Sequence, residues 1–195
     1  MIARFGALFA ALLATTPAHA HDVVSGVGGF YGGLLHPLLL PTHLLALGAL
    51  GLFIGQQARH HRIVLLATLA ASLLAGLVLI VAAFAATNSD TAVLGVAAVA
   101  GIGVAAARRW PIVVSSPLPL LAGAAIEFDS VPEEISMGMT FLALVGTACG
   151  AFLVAMLLVE MTVDLKRDWQ KIAVRVAGSW IAASAILVLA LRFAR

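Results

Sequence analysis

The sequence predicts an all-α fold: a polytopic membrane bundle of about six transmembrane helices after a cleaved signal peptide. Three observations predict it. The 195-residue chain is 63% hydrophobic and only 10% charged, with a mean hydropathy of +1.11. That leaves too little polar surface to clothe a water-soluble domain. The apolar residues fall into several runs, most of them near the roughly 17–25 residues that cross a hydrocarbon core as helix. Lys and Arg gather in alternate connections between those runs, the charge asymmetry of a multi-pass protein. The pI of about 9.2 does not indicate nucleic acid, because the basic residues form short clusters and not a stripe on a polar face.

Residues 1–20, MIARFGALFAALLATTPAHA, read as a secretory signal. Arg4 is the basic start, residues 5–13 form an apolar core too short to span, and Pro17 ends the helix. Ala18-His19-Ala20 fits the small-x-small cleavage rule. Cleavage after Ala20 would leave His21-Asp22 at the mature N-terminus and residues 21–195 as a single transmembrane domain. The Gly-rich stretch 25–33 is expected to be an exported loop or the opening of the first span. Spans are expected at about 34–54, 63–86, 92–107, 111–126, 136–159 and 172–193. Pro117 and Pro119 should kink or break the fourth.

The connections set the orientation. Arg59 and Arg62 follow the first span, Arg108 and Arg109 the third, and Lys166, Arg167 and Lys171 the fifth, with Arg175 just inside the sixth. The alternate connections hold no Lys or Arg, only Asp90 in one and Glu127, Asp129, Glu133 and Glu134 in the other. The positive-inside rule then places the odd connections in the cytoplasm and the mature N-terminus on the exported (periplasmic) side of the inner membrane. The signal peptide requires the same topology. Arg192 and Arg195, at an exported C-terminus, run against the rule. The single cysteine, Cys149, cannot form an intrachain disulfide and is expected to be a buried packing residue. Gly146-x-x-x-Gly150 is a small-residue pair suited to close helix approach, within the chain ahead of between chains.

The first span carries the chemistry. It contains His36 and His43, the two histidines expected at membrane depth, where ionisable groups are costly and default to function. At ~1.5 Å per residue they would sit ~10 Å apart on one face of a straight helix, too far for one ion. Pro41, between them, removes a backbone hydrogen bond. The helix can therefore open there and expose carbonyl oxygens beside the imidazoles, a donor set suited to a cation. The alternative is a His36 at the helix start and a His43 hydrogen-bonded to a neighbouring helix.

His36-Pro37, then His43-Leu44-Leu45-Ala46-Leu47, Gly51-Leu52 and Gln56, resemble the first-span signature of the HupE/UreJ family, H-P-x-x-G-x-D-H-x-L-A-M. The chain is similar to that family in other ways: a signal leaving an N-terminal His, about six spans, and a last span opening on Arg175-Val176-Ala177-Gly178. The resemblance implies a secondary permease for nickel, or cobalt, linked to hydrogenase or urease maturation. It departs from the pattern at Leu40 (Gly in the family), Thr42 (Asp) and Leu47 (Met). The family's H-G-x-A-H-G-x-E segment corresponds to residues 122–134, AGAAIEFDSVPEE, which have no histidine.

The expected site is therefore a transported-metal site of His36 and His43, with Thr42, His21 and Asp22 as further candidates. His21 would offer its amine and a ring nitrogen, although the usual copper/nickel N-terminal motif has His at its third position, here Val23. The acidic cluster 127–134 would be a solvated loop or a cation-focusing mouth. His60 and His61 would be interfacial loop residues. Glu160, Asp164 and Asp168 would pair locally with Lys166, Arg167 and Lys171.

The leading function is thus a permease for a divalent transition metal, with no permanently bound cofactor. The expected partners are membrane lipid, the ion, and a second copy or a metallochaperone. A non-transporting membrane accessory of the same family is the alternative. A haem protein would need histidines on facing helices. No phosphate loop, G-x-S-x-G or H-E-x-x-H motif points to an ATPase or a hydrolytic enzyme.

Overall fold

The structure, a computed structural model, describes residues 28–82, 89–132 and 136–194. The signal peptide, His21, Asp22, Glu133, Glu134 and Arg195 lie outside the described residues. Eight helices are described: α1 (Gly29–Leu39), α2 (Pro41–Gly55), α3 (Arg59–Val81), α4 (Asp90–Ala106), α5 (Ile112–Ser115), α6 (Pro117–Asp129), α7 (Met137–Val163) and α8 (Asp168–Phe193). No strand occurs among them.

Four stretches are long and apolar enough to cross a membrane: α3, the continuous 112–129 stretch, α7 and α8. α1 and α2 form a fifth unit bent by 73°, and α4 is a shorter apolar helix. The bent pair traverses the full height of the bundle. Gly29 meets Met139 near the start of α7, and Gly55 meets Thr162 near its end. Counting α4, six units run through the bundle, and the chain is a multi-pass membrane protein.

Prolines interrupt both the first unit and the fourth, but only the first bends sharply. Pro41 disfavours helical geometry at the residue before it, and Leu40 is extended, at φ −88° and ψ 117°. Pro41 then opens α2 at its first position, where no N–H is needed. Pro117 likewise opens α6, and Ser116 before it stays helical. The fourth unit is thus interrupted in hydrogen bonding but has no sharp bend, contrary to the expected break. It also runs to Asp129, beyond the expected end at residue 126.

Small residues set the helix spacing, since lipid provides no hydrophobic drive between helices. α1 lies against α7 almost backbone to backbone. A Cβ added at Gly33 would overlap the Ala143 carbonyl, and one at Gly146 or Gly150 would overlap the carbonyls of Phe30 or Leu34. Thr147 Oγ1 donates to the Gly33 carbonyl at 3.3 Å. Gly146 and Gly150 thus pack within the chain, as the sequence suggested. The Gly-rich opening is part of α1 from Gly29 onward and not a loop, because its glycines make this approach possible.

α2 is the central helix, with Leu47, Leu50, Phe53 and Ile54 all buried. A helix apolar on every side belongs in a core. α3 pairs with α6 through Gly123, which abuts Ser72 and Leu73. α4 pairs with α8 through Gly101 and Gly178. Arg192 of α8 forms an ion pair with Asp90 of α4, so the basic residue that ran against the charge rule has an acidic neighbour. The local acid–base reading holds for Lys171 and Asp168, 3.1 Å apart.

Cys149 corrects an expectation. It is exposed, on the outward face of α7, while its neighbours Ala148 and Gly150 turn inward. Cys149→Ala should therefore change stability by less than about 0.5 kcal/mol, measured by thermal melting in detergent. A larger loss would mean that the thiol packs against another element.

Candidate functional site

The bend at Leu40 brings together what a straight helix would separate. The rings of His36, in the last turn of α1, and His43, in the first turn of α2, meet edge to face with centroids 5.3 Å apart. His43 is completely buried. Pro41 has no N–H to give the carbonyl of Pro37, so the break leaves that oxygen without its helical donor.

His43 is held by a carboxylate from another helix. Its Nε2–H donates to Asp129 Oδ2 at 3.1 Å, and the Ser89 N–H donates to Asp129 Oδ1, also at 3.1 Å. Asp129 is itself buried, at 7% exposure. In neutral imidazole one ring nitrogen donates and the other carries a lone pair. In the neutral ring, donation to the Asp129 carboxylate places the proton on Nε2 and leaves the lone pair on Nδ1. His43 Nδ1 is buried and has no hydrogen-bond partner among the described residues. A metal-ligating histidine commonly has this arrangement, with one nitrogen fixed by a carboxylate and the other open for the ion.

The other candidates stand apart from this pair. Thr42 is half-buried beside His43 and takes no part in its bond to Asp129. His60 and His61 lie in the first turn of α3 with their rings 4.1 Å apart, helical and not in a loop as expected. No group of three His, Cys, Asp or Glu side chains gathers as a metal-holding set among the described residues. A wide groove of about 740 Å³ between α4 and α6 is lined mainly by apolar residues such as Val96, Val99 and Leu118, a poor donor set for a cation.

The acidic segment also differs from the solvated loop expected. Glu127 and Asp129 belong to the last turn of α6, and both are buried. Two positions on a helix differ by about 200° in direction. Asp129 therefore faces α2, while Glu127 packs against Gly76 of α3. Neither Glu127 carboxyl oxygen has a hydrogen-bond partner among the described residues.

The family described as HupE / UreJ protein matches residues 9–188. The chain belongs to the HupE/UreJ family. No curated protein and no solved structure matches it. HupE/UreJ proteins are nickel/cobalt transporter-like accessory membrane proteins, permease-like and not enzymes.

Family membership makes a missed signal readable. Set on Gly123 and Ala125, the HupE/UreJ pattern H-G-x-A-H-G-x-E puts its histidines on Ala122 and Ile126 and its final acid on Asp129. No histidine stands at those positions here, and the residue at the last of them is Asp129. The residue before His43 is Thr42, which has no carboxylate, and the carboxylate beside the ring is that of Asp129.

Proposed function

We propose that this HupE/UreJ protein is a secondary permease for a divalent transition-metal cation, nickel first, that supports metalloenzyme maturation. The observation that carries the proposal is the lone pair of His43 Nδ1, set by the bond from Nε2 to Asp129, beside His36 at the break between α1 and α2. Imidazole suits nickel, zinc and copper, whereas sites for magnesium or calcium are built from oxygen ligands.

His43 and His36 would bind the ion. Asp129 would orient His43 and balance the ion's charge, and water or the Pro37 carbonyl would complete the shell. So few protein ligands hold an ion weakly enough to let it leave, which transport requires. The protein has no need of a permanently bound cofactor. The end carrying Arg59, Arg62, Arg108 and Arg109 would face the cytoplasm, and the end carrying Asp90 and Asp129 the periplasm. His21 and Asp22, exposed by removal of residues 1–20, would then meet the ion first. α2 rises ~22 Å from the basic end, so the site lies nearer the acidic one, where an incoming ion arrives.

The thin donor set also favours a second reading, a non-transporting accessory of the same family. Accumulation of labelled nickel in cells lacking other nickel importers separates the two. The wild-type chain should raise uptake, and His36→Ala, at matched membrane levels, should return it to background. No rise with the wild type would leave the accessory reading, and wild-type uptake by His36→Ala would remove His36 from the site.

A further inference from the structure

We propose that the basic end of the bundle holds a specific binding site for one anionic phospholipid. A cavity of about 320 Å³ opens there between the ends of α2, α4, α7 and α8. Arg109, Lys171 and Arg175 all line it, together with Gln56 and Thr162. Asp168 is the acid paired with this group, bonded to Lys171 at the exposed rim. Three cations beside one acid leave an excess of positive charge. That excess repels a divalent metal ion and attracts a phosphate diester.

A neighbouring cleft favours a lipid as that occupant. A cleft of about 240 Å³ between α4 and α8 is lined by Ala105, Ile172, Arg175, Val176 and Ser179. Arg175 lines both cavities and so stands between the chamber and a more apolar cleft beside it. Along α8 the lining climbs from Ile172 to Ser179 on the exposed face of the helix, about 10 Å along its axis at the helical rise. A soluble anion has use only for the chamber, whereas a phospholipid can set its phosphate against Arg109, Lys171 and Arg175 and lay part of an acyl chain past Arg175 along the cleft.

Two further features fit that occupant. Trp169, 61% exposed in the first turn of α8, marks the level at which tryptophan rings meet lipid headgroups. Gln56 donates through Nε2 to the Val104 carbonyl at 3.2 Å. Its Oε1 is buried with no hydrogen-bond partner among the described residues. A headgroup hydroxyl, such as that of phosphatidylglycerol, would supply the missing donor. Arg175 is already aimed by its Nε–H bond to the Ala105 carbonyl, at 3.1 Å. Basic pockets between membrane helices are established sites for anionic headgroups.

Thermal melting of the purified protein in a neutral detergent tests the site. Short-chain phosphatidylglycerol should raise the melting temperature saturably, while phosphatidylcholine and inorganic phosphate at the same concentrations should not. Arg109→Gln and Lys171→Gln, at exposed rim positions, should each weaken the effect by roughly fivefold. An equal shift with phosphatidylcholine, an equal shift with inorganic phosphate, or an undiminished shift in the double variant would each overturn the proposal. Should the variants not purify, native mass spectrometry of the wild type decides it. Preferential retention of phosphatidylglycerol supports the site, and equal retention of both lipids refutes it.

Discussion

His43→Ala is expected to abolish metal accumulation, and Asp129→Asn to weaken it by roughly 10–100-fold, the range measured when the carboxylate behind a metal-bound histidine is removed. The two residues are bonded at 3.1 Å, both buried, and come from different helices. His43→Ala also leaves a buried acid without its imidazole, a loss of about 3 kcal/mol in stability. The double variant His43→Ala/Asp129→Ala removes both partners, and should be no less stable than His43→Ala alone. Its transport should remain at background. Transport and stability thus separate, as purely structural roles would not allow. Asp129→Asn should act mainly through a raised apparent KM for nickel, because a freed imidazole can still find the ion. Wild-type uptake by His43→Ala, at matched membrane levels, would remove the site. An unchanged KM in Asp129→Asn would reduce Asp129 to packing.

The second large effect is structural. Gly33→Val should destabilise the protein by at least about 3 kcal/mol, since overpacking already costs 1–3 where side chains can yield and here a backbone carbonyl is struck. A Cβ at Gly33 meets the carbonyl of Ala143 in α7, which can move only if the helix moves. α1 would be displaced, and His36 with it. Gly95→Ala makes the contrast. A Cβ at Gly95 meets nothing within 4 Å, so the substitution should stabilise by up to about 1 kcal/mol through helix propensity. Melting temperatures of the two variants in one detergent check both signs. A Gly33→Val protein that melts like the wild type would mean that α1 is not seated on α7.

Much of this was legible in the sequence because it depends on local chemistry. The apolar runs marked the spans, since a membrane helix must satisfy its backbone internally. Pro41 marked a place where the helix could open, but Pro37 sits inside α1 and Ser116 before Pro117 stays helical, so the local rule did not choose among the prolines. The paired glycines of α7 marked a close approach. The partner of that approach was not legible, because small residues say how near a helix can come and not which helix comes. Glu127 and Asp129 were misplaced for a related reason. Carboxylates near the end of an apolar run read as solvent-facing, and only packing against α2 and α3 reveals that both are inside.

Composition and local pattern alone therefore determined that the chain is a helical membrane bundle and that Pro41, between His36 and His43, is a place where the first span can open. Only the tertiary structure decided that the two rings meet and that Asp129, 86 residues further along the chain, holds one of them. The division follows from range. Backbone geometry and hydropathy act between neighbours in sequence, whereas a hydrogen bond between helices exists only once close packing has chosen which faces meet.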